Sequence, residues 1–242
     1  MSCKENRTMR KLLAVDTSGP VCGVAVLDGE KVLSEIAAQN RNTHSTSLMP
    51  MVERALDFAG VSLRDLDALA AVTGPGSFTG IRIGVATVKA MAHGSGKPCV
   101  AVDALEALAE STGRRGEDLL ICPLQDARAG QVYCALFRGE VRLTENAPLK
   151  LEDCLARLDR FGTQPVLFTG DGMTVHRDRI REIMGERALF PEAAFCWLRP
   201  AAAGALALRK GTPVAYPDLK ESYLRPPNAE KNRKLLEAMR HE

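Results

Sequence analysis

Leu66-Asp-Ala-Leu-Ala-Ala-Val72 runs straight into Thr73-Gly-Pro-Gly-Ser-Phe-Thr-Gly80 and then Ile81-Arg-Ile-Gly-Val-Ala-Thr-Val-Lys-Ala-Met-Ala92. The apolar run predicts a buried strand, and the cluster of Gly, Pro and Ser predicts a tight turn. Ile81, Gly84, Val85, Val88 and Ala92 recur at helical spacing, so a helix follows. Strand, glycine-rich turn and helix is an arrangement that aims backbone N–H groups at an anion. The string is neither of the two common phosphate motifs. No Gly-Lys-Ser/Thr closes it, and Gly74, Gly76 and Gly80 do not fit G-x-G-x-x-G. A plain turn at a helix N-terminus is the simpler alternative.

Working outward, the chain repeats itself at an offset of 110 residues, with Asp16 over Asp126, Ala25 over Ala135, Gly29 over Gly139 and Glu35 over Glu145. Each copy predicts an apolar strand ending in Asp, a second strand, a tight turn and a third strand. The first copy runs 11–16, 21–27 and 32–38, turning at Asp28-Gly29. The second runs 119–126, 131–137 and 141–146, turning at Arg138-Gly139. Further along, Leu48, Met51, Val52, Ala55, Leu56 and Ala59 mark an amphipathic helix that Gly60 ends. Ser62-Leu-Arg-Asp65 predicts a short capped turn, and Arg199-Pro200 opens a helix that Gly211 closes.

Composition narrows the function classes. With 242 residues, 45% of them hydrophobic, the chain is long enough for a real core in one large or two medium domains. A net charge of +2 does not advertise nucleic-acid binding by the chain alone. No apolar run reaches membrane-spanning length, and the opening MSCKENRTMRK reads as a short polar arm rather than a signal peptide. The seven cysteines lack metal-ligand spacing and sit mostly in apolar contexts, as expected of reduced thiols in a cytoplasmic protein.

The string from Thr73 to Ala92 closely resembles the Gly-Pro-Gly-Ser-Phe-Thr-Gly signature of the TsaB family. That family partners the catalytic TsaD-type subunit in making threonylcarbamoyladenosine in tRNA. The resemblance extends from about Lys11 to Ala229, with a Tyr223-Leu-Arg225 ending like the family's, and the internal repeat agrees with it. It implies an α/β, actin-like (ribonuclease H-like) fold: an arm over 1–10, subdomains over 11–110 and 111–198, and a C-terminal helix and charged tail over 199–242. It also implies that the first two helices bundle with a partner. The expected partner face is Leu48, Met51, Val52 and Leu56 on one helix with Ile81, Gly84, Val85 and Val88 on the next, Gly80 and Gly84 letting another helix approach. The implied assembly holds the TsaD-type subunit and a TsaE-type ATPase, meets tRNA through the complex, and leaves a homodimer as the isolated form.

The same resemblance sharpens what the chain lacks. TsaD-type proteins carry two metal-binding histidines four residues apart, and the corresponding places here are Ala104 and Leu108, which cannot ligate a metal. The histidines at 44, 93, 176 and 241 form no helical pair. In actin-like ATPases the strand-end Asp of each half brackets nucleotide phosphates. Asp16-Thr17-Ser18 and Asp126 occupy those places, Gly170-Asp171-Gly172 resembles the adenosine-side loop, and Gly74 and Gly76 lie in the glycine turn. Each Asp is equally a strand-end turn former, and Asp126-Ala127-Arg128 departs from a productive phosphate site. The expectation is therefore a vestigial cleft with weak ATP or ADP binding, no metal and no catalysis. The rival expectations are a phosphotransferase, a metallopeptidase-like enzyme and a free-standing tRNA-binding module.

Overall fold

The computed structural model describes residues 9–39, 43–113, 116 and 118–225. The expected N-terminal arm, apart from Met9 and Arg10, and the expected tail beyond Arg225 lie outside the described residues. The chain begins with the antiparallel strands β1 (Lys11–Asp16), β2 (Cys22–Asp28) and β3 (Lys31–Ala38). Helix α1 (His44–Ala59) then crosses to β4 (Ala68–Gly74), and α2 (Phe78–Ser95) crosses to β5 (Cys99–Asp103), both strands running parallel to β1. A short helix α3 (Ala104–Glu110) leads into the second half.

There β6 (Leu120–Asp126), β7 (Gln131–Cys134), β8 (Phe137–Arg138), β9 (Val141–Arg142) and β10 (Ala147–Lys150) replay the meander. Helix α4 (Leu151–Leu158) then crosses to β11 (Val166–Thr169), and α5 (Asp171–Met184) crosses to β12 (Ala188–Leu189). Helix α6 (Pro200–Lys210) and β13 (Pro213–Val214) return to the first sheet, where β13 pairs with β5. The first sheet is ordered β13-β5-β4-β1-β2-β3 and the second β10-β7-β6-β11-β12. Set aside β13 and the short pair β8–β9, and both halves share one order. The repeat read from the sequence is thus a repeat of topology, and the fold is actin-like.

The second meander is less regular than expected. Its middle strand divides into β7 and β8 because the Leu136 N–H donates to Thr144 Oγ1 (2.9 Å) instead of to a cross-strand carbonyl. Its third strand divides likewise, β9 pairing with β8 and β10 with β7, and reaches Lys150 rather than Asn146.

Alternation along β1 sorts the core into two faces. Leu13 and Val15 point to the side covered by α1 and α2, joining Leu48, Val52, Ile81, Val85 and Val88. Leu12 and Ala14 point to the side covered by α3 and α6. Helix α3 serves both sheets. Ala104, Ala107 and Leu108 pack on the first, while Leu105 and Ala109 pack on Ile121, Ala135 and Phe137 of the second. The second sheet's other face carries α4 and α5 around Phe168 and Leu155.

This packing corrects the expected partner face. Leu48, Val52, Ile81, Val85 and Val88 are each no more than 2% exposed, Gly84 is buried with them, and Met51 and Leu56 are partly buried against the same cluster. The apolar stripes of both helices face their own sheet, because a sheet with apolar residues on both sides needs a helical layer on each. The outward faces are different residues. Met49 is 41% exposed and Phe58 is 70% exposed with the Arg54 guanidinium 5.7 Å from its ring centre. A Val85→Glu chain should consequently lose its fold, not merely a contact, since the carboxylate has no partner in that core. Stability should fall by at least about 3 kcal/mol, read as a collapsed or absent melting transition in circular dichroism.

Candidate functional site

The two halves face each other across a cleft of about 370 Å³. Its first-half walls are the β1–β2 turn, with Ser18 and Gly19, and the glycine loop, with Gly76, Ser77 and Phe78. Its second-half walls are Gln125 to Arg128, Tyr133 and Asp171, and a further wall is made by Ser222 to Arg225. Of the residues expected at a nucleotide site, the structure places Ser18, Gly76, Asp126 and Asp171 on the cleft. Asp16 lies behind it, bordering a small adjoining cavity with Gln125 and Asp171.

The glycine loop owes its composition to close packing. Gly76, Gly80 and Gly84 lie against the Thr17–Ser18 turn. A Cβ would collide with the Ser18 carbonyl at position 76, the Thr17 carbonyl at 80 and Thr17 Oγ1 at 84. A Cβ on Gly74 would come within 2.5 Å of the Ser222 carbonyl, and its φ of +125° favours glycine independently. The element approaching the Gly80–Gly84 face is therefore the chain's own turn, not another helix as expected.

Nor are the loop's donors all aimed at an anion. The Ser77 N–H donates to the Ser18 carbonyl (2.8 Å), and the Gly80 N–H donates to Ser77 Oγ (3.2 Å), which caps α2. Thr17 is fully buried and donates from Oγ1 to the Gly80 carbonyl (2.7 Å), so it binds the turn to the helix and does not face the cleft. Gly170 and Gly172 have a similar function in the second half, where a Cβ would meet the backbone of Leu124 and Gln125 at the end of β6.

The acids set the electrostatics. Burial pushes the Asp16 carboxyl up from 3.8 to about 6, against the opposing hydrogen bonds from Ser18 and the influence of His44. Both Ser18 donors, N at 2.9 Å and Oγ at 2.7 Å, converge on Asp16 Oδ1. His44, at the start of α1, reaches back through Nε2 to the Gly19 carbonyl at 2.9 Å. Burial also pushes Asp171 up to about 6, helped by the charge of Asp126 and opposed by the Asp126 N–H that bonds it. Asp126 Oδ2 stands 3.3 Å from the exposed Arg128 guanidinium. Arg128 and Ala129 hold φ of 66° and 52°, a left-handed conformation costing roughly 1–2 kcal/mol per non-glycine residue.

The two places expected from the resemblance to correspond to a histidine pair lie elsewhere. Ala104 and Leu108 are buried in the core that α3 shares with the first sheet, with no polar atom on either side chain. Among the described residues, no group of three or more His, Cys, Asp or Glu side chains is disposed to hold a metal. The six described cysteines are buried free thiols, and no described helix is long and apolar enough to cross a membrane.

Comparison with known proteins resolves the family. The tRNA threonylcarbamoyladenosine biosynthesis protein TsaB of Bacillus subtilis is 36% identical over 187 residues, 76% of this chain and 80% of that protein. The chain belongs to the TsaB family. The TsaB protein of Escherichia coli is 35% identical over 130 residues, 54% of this chain and 56% of its own. A Pseudomonas aeruginosa structure described as similar to the peptidase YeaZ superposes with a TM-score of 0.73 at 29% identity, covering 90% of this chain and all of that one. The family model described as TsaD, tRNA N6-adenosine threonylcarbamoyltransferase, matches residues 31–205. The two TsaB relatives are themselves named as biosynthesis proteins, not as transferases.

Sequence reasoning did not place Phe78, Gln125, Tyr133 or Ser222 to Arg225 at the site. The Tyr223-Leu-Arg225 ending was the available signal, since it recurs in the resemblance without an obvious core role.

The buried Asp16 carboxylate carries a testable cost. Its folded pKa near 6 exceeds its unfolded 3.8, so the folded state holds the extra proton and stability falls as pH rises through that window. Asp16→Asn retains the Oδ1 acceptor for Ser18 and removes the charge. In divalent-free buffer its urea-unfolding free energy should exceed the parent's by about 1–3 kcal/mol at pH 7, and the gap should close below pH 4.

Proposed function

We propose that this TsaB-family chain is the non-catalytic partner subunit of a tRNA-modifying assembly, supporting a TsaD-type catalytic subunit as it forms threonylcarbamoyladenosine in tRNA. The observation that carries this reading is the state of the inherited cleft. Its glycine loop is packed onto the Thr17–Ser18 turn, with the Ser77 and Gly80 N–H groups bonded internally. Phosphate oxygens need such donors free. Asp16 and Asp171 moreover meet a polyphosphate with like charge once ionised. ATP or ADP is accordingly proposed to bind weakly, and catalysis to reside in the partner. The small ATPase and tRNA join through the complex in this reading, and the isolated chain pairs with itself.

The partner surface is proposed on the outward side of α1 and α2, the layer whose inner stripes are taken up by the core. Phe58 and Met49 are its large apolar side chains, with the exposed small residues Ala86 and Ala90 on the neighbouring helix. Nine residues apart, Met49 and Phe58 stand on opposite flanks of α1 and border this outward side between them. Stable interfaces bury about 1,200–2,000 Å², with a few apolar anchors dominating the energy.

Phe58→Glu and Met49→Glu separate this surface from the core. Both should melt like the parent, because neither side chain is buried in the subunit. Each should weaken co-elution with the TsaD-type subunit in size-exclusion chromatography by tenfold or more, equivalent to about 1.4 kcal/mol. Unchanged co-elution of both variants would remove this face from the proposal.

A further inference from the structure

After α6 the chain follows α2 from end to end. Tyr216 packs on His93 near the C-terminus of α2, with ring centres 4.8 Å apart. Leu219 is fully buried in the first-half core, and its carbonyl accepts from Lys89 Nζ at 3.0 Å. The Ser222 N–H donates to the Thr73 carbonyl at 2.8 Å, just before the glycine loop. Tyr223 then lies on Phe78, the first residue of α2, again at 4.8 Å. Finally Arg225 leaves the first half, and its guanidinium donates to the Ala127 carbonyl of the second half at 3.1 Å.

The two halves are joined in other ways. Helix α3 is packed between the sheets, and Arg142 of the second half bonds Asp103 (2.9 Å) and Glu106 (3.3 Å) at the α3 N-terminus. Those ties fix one side of the assembly. The Arg225–Ala127 bond differs in position, because both of its residues line the cleft itself. It also differs in strength, since one hydrogen bond to a carbonyl is released far more readily than a packed helix.

We propose that residues 213–225 form a strap, anchored by Leu219 in the first half and latched by Arg225 onto Ala127 of the second, that ties the two lips of the cleft together until the latch is released. The latch lands on a turn suited to movement. Ala127 begins the segment in which Arg128 and Ala129 are left-handed, and the Ala127 N–H and carbonyl bond Gln131 and Arg225 respectively. Strained turns of this kind persist only where their surroundings hold them. Because the strap also lies along α2, whatever displaces that helix's flank pulls on the cleft. This inference rests on the intramolecular contacts and is independent of which protein covers α1 and α2.

Hydrogen exchange with mass-spectrometric readout on the full chain tests it. Arg225→Ala should raise amide exchange in 126–131 and in the cleft lip 17–19 on the order of tenfold, the factor expected for loss of one charge-assisted hydrogen bond. Exchange in β1 and in the α2 segment 81–92 should stay as in the parent. Arg225→Lys, which keeps a cationic donor, should restore most of the protection. Leu219→Ala, by releasing the anchor, should expose the α2 flank as well. Three outcomes overturn the latch: parent-like exchange at 126–131 in Arg225→Ala, a rise confined to the strap, or a uniform rise that includes β1.

Discussion

The architecture depends on how closely the N-terminal half of α2 approaches the turn after β1. Gly76, Gly80 and Gly84 leave room for the Thr17 and Ser18 backbone, and Thr17 Oγ1 closes the contact on the Gly80 carbonyl. Any Cβ on that face would drive α2 from the sheet, and with it Ile81, Val85 and Val88 from the core. The same contact determines what the cleft can be. A loop packed this tightly turns the Ser77 N–H inward to the Ser18 carbonyl, so the strand–loop–helix unit that could cradle a phosphate becomes a rigid joint. The proposed loss of phosphate chemistry rests on this same close packing.

Helix α3 is the second constraint. It presents Ala104, Ala107 and Leu108 to one sheet and Leu105 and Ala109 to the other. A short helix of Ala and Leu can contact apolar layers on both sides, whereas two imidazoles at 104 and 108 would bring polar rings into the first-sheet core. Ala104 and Leu108, the places that the resemblance sets against a histidine pair, thus suit an interior position. Asp16 and Asp171 are the contrasting case, since they remain acidic at a buried and a half-buried site where desolvation raises both carboxyls to about 6. Natural chains commonly keep such stability costs where function once required or still requires the group.

Much of this was legible beforehand. The Thr73–Gly80 string predicted the strand, turn and helix, and the 110-residue offset predicted two meanders that the shared strand order bears out. What failed was direction. Helical periodicity shows that Leu48, Val52, Val85 and Val88 share faces, but it cannot say whether a face meets its own sheet or another protein. Glycine spacing likewise allows close approach without naming what approaches, and the answer was Thr17. The strap was hidden because its contacts with α2 are a few side chains and carbonyls, which leave no period in the sequence. Only the Tyr223-Leu-Arg225 ending hinted at it.

The most direct test of the proposed role is reconstitution with purified components: unmodified tRNA, ATP, the other small-molecule substrates, the TsaD-type subunit, the TsaE-type ATPase and this chain, each omitted in turn. Nucleosides from digested tRNA are then quantified by liquid chromatography and mass spectrometry. A non-catalytic partner predicts abundant threonylcarbamoyladenosine in the complete mixture, and none when either this chain or the TsaD-type subunit is left out. Full modification without this chain, or modification by this chain without the TsaD-type subunit, would contradict the account.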